Sequence, residues 1–211
     1  MILYLELRHK LEKLYSDMIS HVSRDALDRG NRLLGIRQKN SLSFRSEAEV
    51  SILFDFLVYE QVSGKECLAE KFLRTAGDLT PNQLELLGTI IGKPTSLYRV
   101  ISTRSAKSQV LVEDCLHPHY PEIMLKDKNM SQTLTPDVLV FTRILTFPGI
   151  AMTSGMVMPF PRALESVLKH KSKVLQKTIP TGKPAVAQFV TYFKLYREFG
   201  FPMEFQSVPL D

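Results

Sequence analysis

Between Ser96 and Phe160 the hydrophobic pattern changes period, and this change constrains the fold more than any other feature of the chain. Before it, apolar residues recur at helical spacing; within it they form short runs broken by turn residues, as strands do. Leu97, Val100 and Ile101 form a first run and Val110, Leu111 and Val112 a second. The polar connection Ser102 to Ser108 between them is short enough for a hairpin. The segment His117-Pro118-His119-Tyr120-Pro121 has to turn, because proline offers no N–H to a ladder. Ile123 to Leu125 resumes an extended run, Asp127 to Pro136 reads as a polar loop, and Val138 to Phe141 is a strand that Arg143 interrupts without ending. Ile144 to Phe147, the turn Pro148-Gly149 and Ile150 to Met158 complete about five strands, enough to close or nearly close a small barrel and so hide its edges.

Helical segments flank this unit. Leu7, Leu11, Leu14, Met18 and Val22 predict one amphipathic helix from Leu3 to about Arg29, ended by Gly30 and Asn31, with Arg32 to Ser46 an irregular connection. Ser46 is a suitable N-cap for a second helix, with Glu47 and Glu49 in its first turn. That helix is apolar on nearly every side from Ile52 to Tyr59, so it should be central, although its β-branched and aromatic content also suits a strand, and Asp55 within it requires a partner or an exposed direction. A short helix signalled by Cys67, Leu68, Phe72 and Leu73 and ending near Gly77, and a capped helix opening at Thr80-Pro81-Asn82-Gln83, follow, the latter stopped by Gly92 and Pro94. Beyond the strands, Pro161 can start a helix burying Leu164, Val167, Leu168, Val174 and Leu175. A last helix runs from about Pro184 to Glu198, ended by Gly200, and the tail from Phe201 to Asp211 should lie extended over the surface. The expected fold class is therefore α+β: a helical region over 1–95, a small five-stranded antiparallel barrel-like unit over 96–160, and C-terminal helices and tail over 161–211, packed as one unit.

Composition narrows the compartment and the partners. No apolar run approaches the roughly 20 residues of a membrane span, and the opening MILYLELRHKLEKLY carries charge too early for a secretory signal. A cytoplasmic location without membrane contact is expected. Cys67 and Cys115 stand far apart and form no disulfide or zinc framework. The net charge of +5 is uneven. Residues 1–46 hold 9 Lys/Arg against 5 Asp/Glu and residues 161–211 hold 8 against 4, whereas residues 47–95 hold 4 against 8. Basic ends can meet an anionic partner or simply pack beside the acidic segment.

Taken in order, FDFLVYE, CLAEKFL, a capped helix, SLYRV, VLVEDCL, a polar gap and LVFTRIL resemble a group of uncharacterised bacterial proteins, some of which carry a C-terminal SEC-C metal-binding motif. The resemblance spans about Glu47 to Lys171 and matches Asp55, Tyr98, Asp114 and Arg143 to recurring positions of that group. It implies no chemistry, and no zinc, because the chain has no cysteine after Cys115 with which to build the motif.

Three constellations are candidates for a site. Cys115, His117 and His119 alternate and could face one metal if extended, although the two adjacent prolines favour a solvent-facing turn. Lys169, Lys173 and Lys177 form a stripe at four-residue spacing that could neutralise successive phosphates, although solvated lysine faces are commonplace. Asp114 and Arg143 could pair within the strands and fix their register. No Gly-x-Ser-x-Gly elbow, phosphate-binding glycine loop or His-Glu-x-x-His pair is present. The expected function is a non-catalytic binding or adaptor module without cofactor, with another protein as leading partner. The alternatives are a nucleic-acid-associated module using the basic terminal segments and an enzyme of unrecognised type.

Overall fold

The computed structural model describes residues 2–38 and 41–201. The long extended stretch of the sequence becomes five strands: β3 (Thr95–Arg104), β4 (Gln109–Asp114), β5 (Ile123–Lys126), β6 (Val138–Phe147) and β7 (Ile150–Pro161). They close into a barrel in the order β3-β4-β5-β7-β6. Strand directions can alternate around a ring only if the number of strands is even, so a closed ring of five must contain a parallel pair. Here that pair is β5 and β7, joined at Leu125 and Ala151. The sheet is therefore mixed, which corrects the expectation of a purely antiparallel unit. Two further strands, β1 (Arg37–Gln38) and β2 (Ser41–Leu42), form a small ladder of their own.

All five barrel strands contribute to one apolar cluster, with Tyr98, Val100, Val110, Val112, Leu125, Val140 and Ile144 buried in it and Ala151 and Val157 packed against it. These side chains fill the barrel interior. The opposite face of β6, carrying Leu139, Phe141, Leu145 and Phe147, packs against helices instead. Burial on both faces explains why β6 reads as a nearly continuous apolar run. The predicted loop after β5 contains a helix, α6 (Lys128–Thr133), because the Asp127 carboxylate accepts from the Met130 N–H at 2.9 Å and caps it. Met130 and Leu134 then pack into the interior cluster. Helices are thus not confined to the two ends of the chain.

The first predicted helix is two: α1 (Ile2–Ile19) and α2 (Arg24–Leu34), the second capped by Ser23, whose hydroxyl accepts from the Ala26 N–H at 3.2 Å. Gly30 lies inside α2 and does not end it; Gly35 does. A Cβ on Gly30 would stand 2.9 Å from Leu57 Cδ2, so the missing side chain is what lets α2 approach α3 (Glu47–Tyr59). Gly30→Val is accordingly expected to destabilise the protein by about 1–3 kcal/mol through overpacking, read as a shift of the urea midpoint. An unchanged midpoint would show that Leu57 yields freely.

Next come α4 (Leu68–Thr75) and α5 (Pro81–Ile90), whose predicted capping box between Thr80 and Gln83 is present. After the barrel come α7 (Glu165–Gln176) and α8 (Pro184–Phe199). On α7 Leu168 is buried, but Val167 and Val174, expected inside, are exposed. The predicted tail lies outside the described residues beyond Phe201. Helix α3 is central: Ile52, Leu53, Phe56 and Leu57 join Phe141, Met158, Phe160, Phe189 and Tyr192 in one core, while Val58 joins a second with Leu11, Leu14 and Met18 of α1 and Phe147 of β6. Phe141 stacks on Tyr192 with ring centroids 4.2 Å apart.

Candidate functional site

A cleft of about 470 Å³ opens between α1, α3 and β7. Each wall follows from local sequence. On α3, Ser51, Asp55 and Tyr59 recur every fourth residue, and with Phe54 and Val58 they occupy one face. On β7 the ladder to β6 jumps from the pair Thr142–Val157 to the pair Ile144–Thr153, so Arg143 alone stands opposite Ser154, Gly155 and Met156. Such a bulge redirects side chains, and Gly155 supplies the positive φ of 112°. The bulge brings Ser154 and Met156 into the cleft, and α1 contributes Arg8, Glu12, Tyr15 and Ile19.

Beneath the cleft lies a buried ionic cluster. Arg143 is 1% exposed. It donates to Asp55 Oδ1 from Nε at 3.2 Å and from Nη2 at 3.0 Å, to Glu60 Oε1 at 2.8 Å, and to the Lys93 carbonyl. Its guanidinium lies over the Tyr59 ring, 4.1 Å from the centroid. The second oxygen of Asp55 accepts from the Ser154 hydroxyl at 2.5 Å. The hydroxyls of Tyr59 and Tyr15 share a hydrogen bond of 2.5 Å, and Arg8 Nη2 donates to the Thr153 carbonyl at 3.0 Å. Burial alone would lower the Arg143 pKa, but the charges of Asp55 and Glu60 outweigh it and hold the guanidinium more firmly protonated than usual. Burial raises the carboxyl of Glu60, with Arg143 pulling the other way. Burial likewise raises both tyrosines, which keeps their hydroxyls protonated at neutral pH.

Asp114 and Arg143, expected as partners, are not joined. Asp114 Oδ1 accepts from the Ser96 hydroxyl at 2.6 Å and from the N–H groups of Leu116 and His117, and Oδ2 faces His117 Nδ1 at 3.2 Å. Asp114 therefore holds the turn after β4, while Arg143 points outward from the barrel to α3. His119 and His117 lie against Tyr120, with ring centroids 4.4 and 5.5 Å away, and Cys115 is buried. Among the described residues no three His, Cys, Asp or Glu side chains are grouped as a metal requires. Of the lysine stripe, Lys169 bonds Glu165 at 2.8 Å, which also binds Arg99; Lys173 and Lys177 are exposed at the end of α7. Burial pushes both thiols, Cys67 and Cys115, up to about 11. Ellman's reagent at pH 8 is thus expected to label neither quickly in the native protein and both after denaturation. Rapid labelling of the native chain would contradict that burial.

Sequence reasoning singled out Asp55 as needing a partner and noticed Arg143, but it missed Glu60, Tyr15, Tyr59 and Ser154. The four-residue spacing of Asp55 and Tyr59 was the available signal for one of them; Ser154 had none, since only the bulge brings it in.

Fold and site together define a mixed helix-and-strand protein built on a closed five-stranded barrel, with an ion-paired core under a cleft at its helical side. The chain belongs to the family described as "Family of unknown function (DUF7986)", which matches residues 2–206. No curated protein and no solved structure matches it. No described helix is long and apolar enough to cross a membrane.

Proposed function

We propose that the chain is a non-catalytic binding or adaptor module of the cytoplasm, that its partner is another protein, and that the partner's anchor side chain enters the cleft between α1, α3 and β7. One observation carries this reading: the polar groups at the floor of the cleft, Asp55, Ser154, Tyr15 and Tyr59, are bound to one another or to Arg143, and the surface the cleft leaves open is mainly apolar. A general acid, base or nucleophile needs a proton or lone pair directed at substrate. Asp55 has one oxygen on Arg143 and the other on Ser154, and Tyr15 and Tyr59 face each other. The lining that stays open to solvent is Phe54, 40% exposed, with Ile19 half-buried beside it and Ser16, Ser51 and Glu12 at the rim. An apolar pocket with a charged edge on a rigid floor suits a buried aromatic or aliphatic anchor. The resemblance to bacterial proteins supports placing the module in a bacterial cytoplasm. The alternative of nucleic-acid binding through Lys169, Lys173 and Lys177 has less support, because Lys169 is held by Glu165.

A photo-crosslinking residue at position 54 in living cells tests this, with the same probe at Leu73, an exposed site on α4, as control. The expected result is a discrete protein adduct at position 54 that survives nuclease treatment and disappears in Ser16→Trp, which fills the cleft. Adducts equal to those at position 73, or lost to nuclease, would overturn the proposal.

A further inference from the structure

A second cleft, of about 440 Å³, lies between α2 and α8 and is lined by Arg29, Arg32, Leu33, Ile179, Pro180 and Lys194. Arg29 and Arg32 are three residues apart on α2 and therefore neighbours on its surface; Lys194 comes from α8. Nearby carboxylates on the same helices are engaged elsewhere. Asp25 accepts from Ser63 at 2.6 Å, Asp28 pairs with Arg37 at 3.3 Å, and Glu198 pairs with Lys171 at 2.8 Å. Among the described residues, none of the ion pairs involves Arg29, Arg32 or Lys194. Three like charges around one concavity repel one another and gain by sharing an anion.

We infer that this cleft binds a small molecule bearing a phosphate monoester, with Arg29, Arg32 and Lys194 on the phosphate and Leu33, Ile179 and Pro180 against its organic part. Two guanidinium forks match the oxygens of one phosphate. The volume falls in the range of small-molecule sites. A nucleic-acid backbone would instead call for a stripe of cations following the strand, whereas these converge. Lys183 supports the picture of uncompensated charge: burial, and next the charge of Arg29, lower its pKa, while its amine donates to the carbonyls of Gln61 and Gly64. This site is separate from the cleft on α3 and stands or falls without it.

Calorimetric titration of the full chain at low salt with ribose 5-phosphate, ribose and inorganic phosphate tests the inference. Ribose 5-phosphate is expected to bind and ribose not. Arg32→Glu, at an exposed position, should weaken binding at least about tenfold through loss of a charge-assisted contact, with an unchanged circular dichroism spectrum. Lys173→Glu, an equal charge change outside the cleft, should leave binding within about twofold. No binding, or equal weakening by the two variants, would overturn the site. Equal affinity for inorganic phosphate would assign the cleft to the free anion and overturn the monoester. A single-stranded RNA bound more tightly and lost in Arg32→Glu would do the same in favour of a polymer.

Discussion

Arg143→Met is expected to cost about 3–5 kcal/mol, the usual effect of removing one member of a buried ion pair. The guanidinium is 1% exposed and is the only cation bonded to the buried carboxylates of Asp55 and Glu60 among the described residues. Methionine fills a comparable volume, so the loss reports electrostatics more than a cavity. It leaves two carboxylates in one apolar region, of which at least one must take a proton to remain folded. Against a total stability of roughly 5–15 kcal/mol, urea unfolding should show a large fall in midpoint with an unchanged slope. Arg143→Lys keeps the charge but cannot reach Asp55, Glu60 and the Lys93 carbonyl from one planar group, so it should fall between the two. A loss below about 1 kcal/mol for Arg143→Met would mean the cluster exchanges with water, as exposed pairs do.

How much of this was legible in the sequence depended on whether the information was local. The strands were, since β6 is buried on both faces and Pro148-Gly149 marks the turn to β7. Their handling as an antiparallel set failed for a global reason, the parity of a closed ring, which no single segment records. The break between α1 and α2 was hidden because the apolar spacing continues through Val22 and Leu27 across it. Gly30 was misread as a stop because the roughly 1 kcal/mol helix penalty of glycine is a local quantity, while its contact with Leu57 is tertiary. Helix α6 is polar and only six residues long, so it has no hydrophobic period to detect. At the site, the need of Asp55 for a partner was legible and the partner was not. Arg143 lies 88 residues away, and Asp114, nearer in sequence, was an equally acceptable mate until the fold separated them.

The binding reading rests on rigidity: an anchor pocket is useful only if its floor keeps its shape. That floor is the shared contact of Arg143 with two carboxylates, and Asp55→Asn tests the sharing. The substitution keeps the shape but removes the charge that binds Arg143 and Ser154. Hydrogen bonds to charged groups contribute about 1.5–3 kcal/mol each, so a loss of about 2–4 kcal/mol near neutral pH is expected. The sign of the accompanying pH effect follows from Glu60. Its carboxyl is raised by burial, opposed by Arg143, and raised further by the charge of Asp55. Between the ordinary carboxylate value and that raised value, the folded chain holds a proton that the unfolded chain has released, so Glu60 makes stability decline as pH rises through this window. With Asp55 neutral, Glu60 has Arg143 to itself, its pKa moves down, and the window narrows. Other shifted groups, such as Asp127, whose carboxyl burial also raises, act alike in both proteins and cancel in the difference. Urea unfolding of wild type and variant from about pH 5 to about pH 7.5 should therefore give curves that converge as pH rises, the variant losing less stability over the interval. Parallel curves would show that Asp55 and Glu60 do not act on one guanidinium.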